Sequence, residues 1–323
     1  VRRASLDPEV ARVLSRRELH YPSEAPATDR SAHLRAASGL AWMRAGEAMR
    51  LVVAQDDTSF LALLSPSGEV EAHLELPHSV AGRRVFESRL ENKQHKLDLE
   101  ACASLPDGSV LVVGSGSLAA RERVVLVSEH QAVLIALPAF YAALRARNDF
   151  AGSELNIEGA AVVGAHLVLA NRGNGAPKDG QAPVDAIAMF NLEEVLGHLA
   201  GGPVPAFVAV APADLGAIEG VRLTFTDLTA RRGVLYFLAS AEASPNTYDD
   251  GVVVGAALGR IAGGQVLLCR LVDEHGKPLT DKVEGLAWAD PDGASDEVFV
   301  VVDRDDPDRP SECLRVKVPA SLL

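Results

Sequence analysis

A degenerate phrase recurs about every 60 residues along this chain, a period at which repeats form propellers or solenoids. Its copies are Ser38-Gly39-Leu40-Ala41-Trp42, Leu99-Glu100-Ala101-Cys102-Ala103, Ile157-Glu158-Gly159-Ala160-Ala161, Thr226-Asp227-Leu228-Thr229-Ala230 and Val283-Glu284-Gly285-Leu286-Ala287. Each is followed by a turn and then by a short β-branched apolar run, such as Val110-Leu111-Val112-Val113 or Val298-Phe299-Val300-Val301-Val302. Runs this short, bounded by Gly, Asp and Ser, read as buried strands. Third and fourth runs follow in most copies, for example Val124-Val125-Leu126-Val127 and Val133-Leu134-Ile135-Ala136. Four antiparallel strands per repeat make the blade of a β-propeller.

The expected architecture is therefore all-β: one domain, residues 1–323, with five blades starting near 38, 99, 157, 226 and 283. A six-bladed propeller is the alternative if 1–37 or 203–222 hides another blade. The last repeat runs out of chain after Leu314-Arg315-Val316-Lys317-Val318. Val10 to Leu19 precedes the first repeat without a blade of its own, so its pairing there would close the ring and remove open sheet edges. Two stretches with helical spacing, 140–145 and 192–196, predict short rim helices. Loops rich in Gly, Pro and Asp at 173–184, 240–251 and 304–311 are expected between second and third strands.

Composition limits what such a fold can serve. With 44 acidic against 31 basic residues the net charge is −13, which repels phosphate backbones and argues against nucleic-acid binding. No apolar run reaches the roughly 18 to 20 residues of a bilayer span, so no membrane partner is expected. Three dispersed cysteines fit neither a disulfide framework nor a zinc site and favour a cytoplasmic location. The chain does not begin with Met, so a periplasmic location follows if a signal segment has been removed. Oligomeric state is not encoded in these patterns.

First strands of blades line a propeller's axis, so the repeated carboxylates should converge. The expected ring is Ser38, Glu100, Glu158, Asp227 and Glu284. Asp227 is preferred to Glu219 because Glu158 to Asn171 and Asp227 to Ser240 span the same length of chain. Carboxylates about 5 Å apart repel by roughly 3 kcal/mol per pair at an effective dielectric near 20, which calls for protons or a cation among them. With oxygen ligands and no His or thiolate, Ca²⁺ is the expected cofactor. Hydrogen bonding of the repeated acid to backbone amides at blade junctions is the competing explanation. Asp98, Asn156 and Lys282, two residues earlier, form a second layer on the same strand face.

Second strands return to the same mouth and bring Asp57, Asn171, Arg172, Glu242, Asp303 and Arg304 as candidate ligand-binding residues. Arg172 and Arg304 suit the paired oxygens of a small anionic ligand, unless they bridge Asp303, Asp305 or Glu242. Gly114-Ser115-Gly116-Ser117 leads into no helix and reads as a hairpin loop, and His95 as a solvated loop histidine. No nucleophile elbow or Walker loop is present.

The phrase in Val283-Glu284-Gly285-Leu286-Ala287, with a following strand ending Val302-Asp303-Arg304, resembles repeats of bacterial propellers in the esterase-like phytase and SdiA-regulated families. The acidic ring is similar to that of the calcium-activated nucleotidases, five-bladed apyrases. That resemblance implies an axial calcium held by Ser38, Glu100, Glu158 and Glu284, and hydrolysis of phosphoric esters or anhydrides. The chain departs from the apyrase pattern at Asp227 and lacks the longer signature segments. A non-catalytic scaffold with a structural metal, binding a small ligand or protein, is the alternative function.

Overall fold

The computed structural model describes residues 2–22, 29–129, 131–243, 251–291 and 294–323. It begins with a long strand, β1 (Arg2–Glu18). Next come β2 (Ala37–Ala45), β3 (Ala48–Gln55), β4 (Phe60–Leu64) and β5 (Val70–Glu75), an antiparallel meander. A second meander is β6 (Leu99–Ser104), β7 (Val110–Gly114), β8 (Arg123–Val127) and β9 (Ala132–Ala136). Helices α1 (Pro138–Arg145) and α2 (Asn148–Ala151) lead to the third, β10 (Ile157–Val163), β11 (His166–Asn171), β12 (Asp185–Asn191) and β13 (Phe207–Asp214), with α3 (Leu192–Leu199) between its last two strands.

A two-residue strand, β14 (Ala217–Ile218), precedes the fourth meander, β15 (Val221–Arg231), β16 (Val234–Ala243), β17 (Val252–Ala262) and β18 (Gln265–Val272). The last is β19 (Lys282–Trp288), β20 (Glu297–Asp303) and β21 (Glu312–Lys317). Its fourth strand is the second half of β1, antiparallel to β21 with Arg12 opposite Lys317 and Glu18 opposite Glu312. The first half of β1 runs parallel to β18, from Ala4 opposite Val266 to Arg12 opposite Val272. One strand thus covers two edges that would otherwise present unpaired N–H and C=O groups.

First strands pack around an axis in the cycle β2, β6, β10, β15, β19 and back to β2. This is an all-β propeller closed by its N-terminal strand. Residues 203–222 supply β13 and β14, and no further four-stranded unit appears among the described residues. The core lies between neighbouring units: Phe140, Tyr141 and Phe190 fill the gap between the second and third, while Tyr236, Trp288 and Leu314 fill that between the fourth and fifth. Strands such as β7 and β4 are therefore apolar on both faces, which explains their unbroken hydrophobic runs.

Rim helices form where expected, for local reasons. Pro138 opens α1, and the Asn191 side chain accepts hydrogen bonds from the amides of Glu193 (2.9 Å) and Glu194 (3.2 Å) to cap α3. The connections at 173–184 and 304–311 are loops between second and third strands. In the expected loop at 240–251, residues 244–250 lie outside the described residues. No helix among the described residues is long and apolar enough to cross a membrane.

Candidate functional site

Each first strand carries a β-bulge at its axial start. The pairing register slips between Leu99 and Ala101, between Ile157 and Gly159, and between Val283 and Gly285, so Glu100, Glu158 and Glu284 are the inserted residues. A bulge re-aims the inserted side chain away from the regular pleat. The next residue is small because the neighbouring unit's backbone lies against it. A Cβ on Gly159 would sit 2.8 Å from the Leu228 amide nitrogen, and one on Gly285 would sit 3.0 Å from the Ser38 carbonyl oxygen.

These glutamates line a cavity of about 330 Å³ at the mouth of the axis, together with Ser38. Carboxylates outnumber lysines and arginines there by eleven to seven. Burial, followed by the charges of Asp98, Glu158 and Asp56, pushes the Glu100 carboxyl well above its usual range. Burial likewise raises Glu284, with Glu158 and Glu242 adding to the effect and Lys282 opposing it. Glu158 is also raised by burial, against the pull of Arg172 and Lys282. Glu284 Oε2 is buried without a hydrogen-bond partner.

Around the ring the charges are paired. Lys96 Nζ lies 2.6 Å from Asp56 and 2.5 Å from Asp98, and Arg121 donates to Asp98 at 2.7 Å. Burial would raise Asp98, but these two cations outweigh it and hold its carboxyl below the usual value. Arg35 bridges Asp57 at 2.5 Å and Glu87 at 2.8 Å, while burial still pushes Asp57 up to about 6. Lys282 reaches Glu284 at 3.7 Å, Asp303 at 3.8 Å and Asp305 at 2.7 Å. Asp56, Asp98 and Glu100 each offer a carboxylate oxygen within 4.8 Å of the others, a grouping able to hold a metal ion.

Of the expected ring, Ser38, Glu100, Glu158 and Glu284 reach the cavity, and Asp227 does not. The slip in β15 falls between Phe225 and Asp227, which makes Thr226 the inserted residue. Asp227 occupies the small-residue position instead. Its two oxygens accept from the amides of Leu228 and Leu286, both at 2.7 Å, and so tie the fourth unit to the fifth. The blade-junction role weighed for all the repeated acids thus applies to this one. Thr226 is fully buried, and its Oγ1 has no partner.

Asp57, Arg172, Glu242 and Asp303 line the cavity as expected. Asn171 does not: its side chain accepts from the Asn156 amide at 2.7 Å and donates to the Val184 carbonyl at 2.8 Å, bracing the strand end. Arg304 also lies away from the cavity, paired with Asp281 at 2.5 Å and with Glu312. Arg172 is in the wall, held between Glu158 at 3.4 Å and Glu242 at 2.5 Å, so it takes the ion-pair alternative.

Arg35, Lys96 and Arg121 are the cations that sequence reasoning missed. They sit on connecting segments outside the repeated phrase, where no spacing marks them. Ser115 and Ser117, in the glycine-serine loop, hydrogen-bond Asp98. His95 is exposed, and its carbonyl oxygen lies 2.9 Å from His78 Nε2.

Among solved structures, a gluconolactonase from Xanthomonas campestris is 12% identical, with 94% of this chain and 98% of that one covered and a TM-score of 0.43. The WD40 domain of Neurospora crassa Pan2 is 9% identical, with 98% of each chain covered and a TM-score of 0.39. No curated protein matches the chain. Residues 33–318 match the family of unknown function DUF6929, and the chain belongs to that family.

Proposed function

We propose that the acidic mouth holds a hard divalent cation, calcium by preference, and that the protein acts through it as a hydrolase of small phosphoric esters or anhydrides. The observation that carries this reading is the convergence of Glu100, Glu158 and Glu284 on one cavity, with an orphaned oxygen on Glu284. Buried carboxylates in such a group need protons or a cation. The donors are all oxygens, which suits Ca²⁺ and disfavours soft metals. Glu158 and Glu284 with Ser38 would hold the ion, which when bound polarises a phosphoryl oxygen and acidifies water.

The remaining side chains divide the work. Glu100 keeps part of its surface open to the cavity, which places its carboxyl to exchange a proton with water beside the ion, and burial raises that carboxyl above its usual range. Lys96 and Arg121 fix Asp98 behind it, and Lys282 is the cation nearest the ring from the fifth unit. Thermal unfolding with calcium or chelator, followed by a panel of nucleotides, phytate and simple phosphate esters, tests the reading. Calcium-dependent turnover that Glu100→Gln abolishes supports it, and absence of turnover across the panel contradicts the hydrolytic part.

A second reading rests on the arginines. Arg172 and Arg304 are both committed to carboxylate pairs, which leaves neither as a ready clamp for an anion. A non-catalytic propeller with a structural cation, binding a small ligand or protein at this mouth, accommodates that pairing. Calcium binding without turnover would select it.

A further inference from the structure

We propose that the outer edge of β9 is the contact through which two copies of this chain pair, strand against strand, across a two-fold axis at Leu134. The rim strand of a propeller unit presents an open edge, and this chain guards its other rim edges. β18 and β21 are covered by β1. β5 is bulged at Glu71, where the register slips between Leu63 and Leu64, and it carries Glu71 and Glu75. β13 is bulged at Val208 and holds Pro212, and its end pairs with Arg2 and Arg3 of β1. Bulges, charges, prolines and covering strands are the devices that keep sheet edges from pairing.

β9, Ala132-Val133-Leu134-Ile135-Ala136, has none of them. It pairs with β8 without a slip, from Arg123 opposite Ala136 to Val127 opposite Ala132, and although wholly apolar it has no fully buried residue. No strand lies on its far side among the described residues. The hydrogen-bond phase is set at both ends, where the Ser128 amide donates to the Gln131 carbonyl and the Leu137 amide to the Glu122 carbonyl, both at 2.9 Å. Hydrogen-bonded and non-bonded pairs alternate along an antiparallel ladder. Val133 and Ile135 therefore bond to β8, and Ala132, Leu134 and Ala136 turn their N–H and C=O groups outward, where no partner meets them among the described residues.

A second copy suits this edge because the strand reads nearly the same in both directions about Leu134. Antiparallel pairing across a two-fold axis sets Leu134 against Leu134 of the second copy, Ala132 against Ala136 and Val133 against Ile135, so that the outward donors and acceptors of all three residues are satisfied. Charge points to the same occupant. Two copies of a chain with net charge −13 repel, and a charged edge pairing with itself brings like charges together, whereas β9 is an edge without charge. The apolar surface continues past the strand: Leu137, which follows β9, lines one crevice with Leu199 and Pro205 of the third unit, and Leu196, Val204 and Val208 stand exposed on that unit's rim. Contact there extends the interface beyond the ladder itself.

Sedimentation velocity on the full chain, with circular dichroism as the control for folding, tests the pairing. The wild type should sediment as a dimer at micromolar concentration. Ala136→Pro removes an outward N–H that β8 does not use, and Ala136→Lys places on the edge a side chain that guards against pairing. Each should give a monomer with its circular dichroism unchanged. The register has its own test, because the native cysteines are all buried and a thiol placed on the edge is the accessible one. With oxidised glutathione, Leu134→Cys should form a disulfide-linked dimer, since residues opposite each other in a hydrogen-bonded pair have Cα atoms about 5.5 Å apart, within disulfide reach. Val133→Cys, which stands opposite Ile135 rather than its own counterpart, should crosslink far less. A wild type that stays monomeric at millimolar concentration overturns the proposal and leaves the edge to another protein's strand. A dimer that survives both Ala136 variants overturns it as well, as does crosslinking of Val133→Cys as readily as Leu134→Cys.

Discussion

Asp227→Ala separates a blade-junction carboxylate from a metal ligand, because the two roles predict opposite responses. In the folded chain this carboxylate accepts from two buried backbone amides, Leu228 and Leu286, each at 2.7 Å. Alanine leaves both donors without an acceptor, at about 1–3 kcal/mol each. Part of that loss is offset, since the substitution also removes a carboxyl that burial drives well above its usual titration range. The net loss is roughly 2–4 kcal/mol. Unfolding entropy near 2.1 cal/mol/K per residue gives about 0.7 kcal/mol/K for this chain, so Tm should fall by roughly 3–6 °C. Differential scanning calorimetry with calcium and with chelator measures both quantities. The expected result is a lower Tm in both buffers, with any calcium-dependent rise kept intact. A variant with wild-type Tm in chelator but no calcium response would refute the junction role and return Asp227 to the metal.

Arg172→Ala should be more damaging than Arg304→Ala in chemical denaturation. It strands Glu158 and Glu242 in the wall, and breaking a buried pair costs about 3–5 kcal/mol, whereas the Arg304 side chain is 15% exposed against 4% for Arg172; equal losses would contradict the placement. Stability without metal should fall as pH rises from about 4 towards neutrality. Burial raises Asp57 and Asp185 to about 6 and also raises Glu100 and Glu284, so the folded chain binds more protons than the unfolded one across that window. A denaturation midpoint that climbs through this window would count against those buried environments. Deleting residues 1–20 should lower Tm and solubility by uncovering β18 and β21, and an unchanged Tm would sink the closure.

The fold was legible because every unit announces its first strand with a small-residue phrase and its core strands with apolar runs. Closure by the N-terminus followed from the strand that the last repeat lacks. The parallel run of Ala4 to Arg12 along β18 was not legible, since that half of β1 is mostly exposed and carries no alternation. At the site, Glu100, Glu158 and Glu284 were found by repetition, and Asp227 was misplaced by one residue. The fourth unit has exchanged the Glu-Gly of the bulge for Thr226-Asp227, so a carboxylate persists while its position moves from axis to junction. Chain distance cannot detect that shift; the bulge register can. Asn171 and Arg304 were expected at the mouth because second strands end there, but their side chains are held by Asn156 and Val184 and by Asp281 and Glu312.

Calcium titration of the metal-free chain by isothermal calorimetry, repeated on Glu158→Gln and Glu284→Gln, bears most directly on the axial cation. One saturable site in the wild type, lost or strongly weakened in both variants, is the predicted result. Calcium at a hundredfold excess over Kd would then add about 2.7 kcal/mol of stability. No heat of binding at millimolar calcium, or binding that survives both substitutions, would contradict the account.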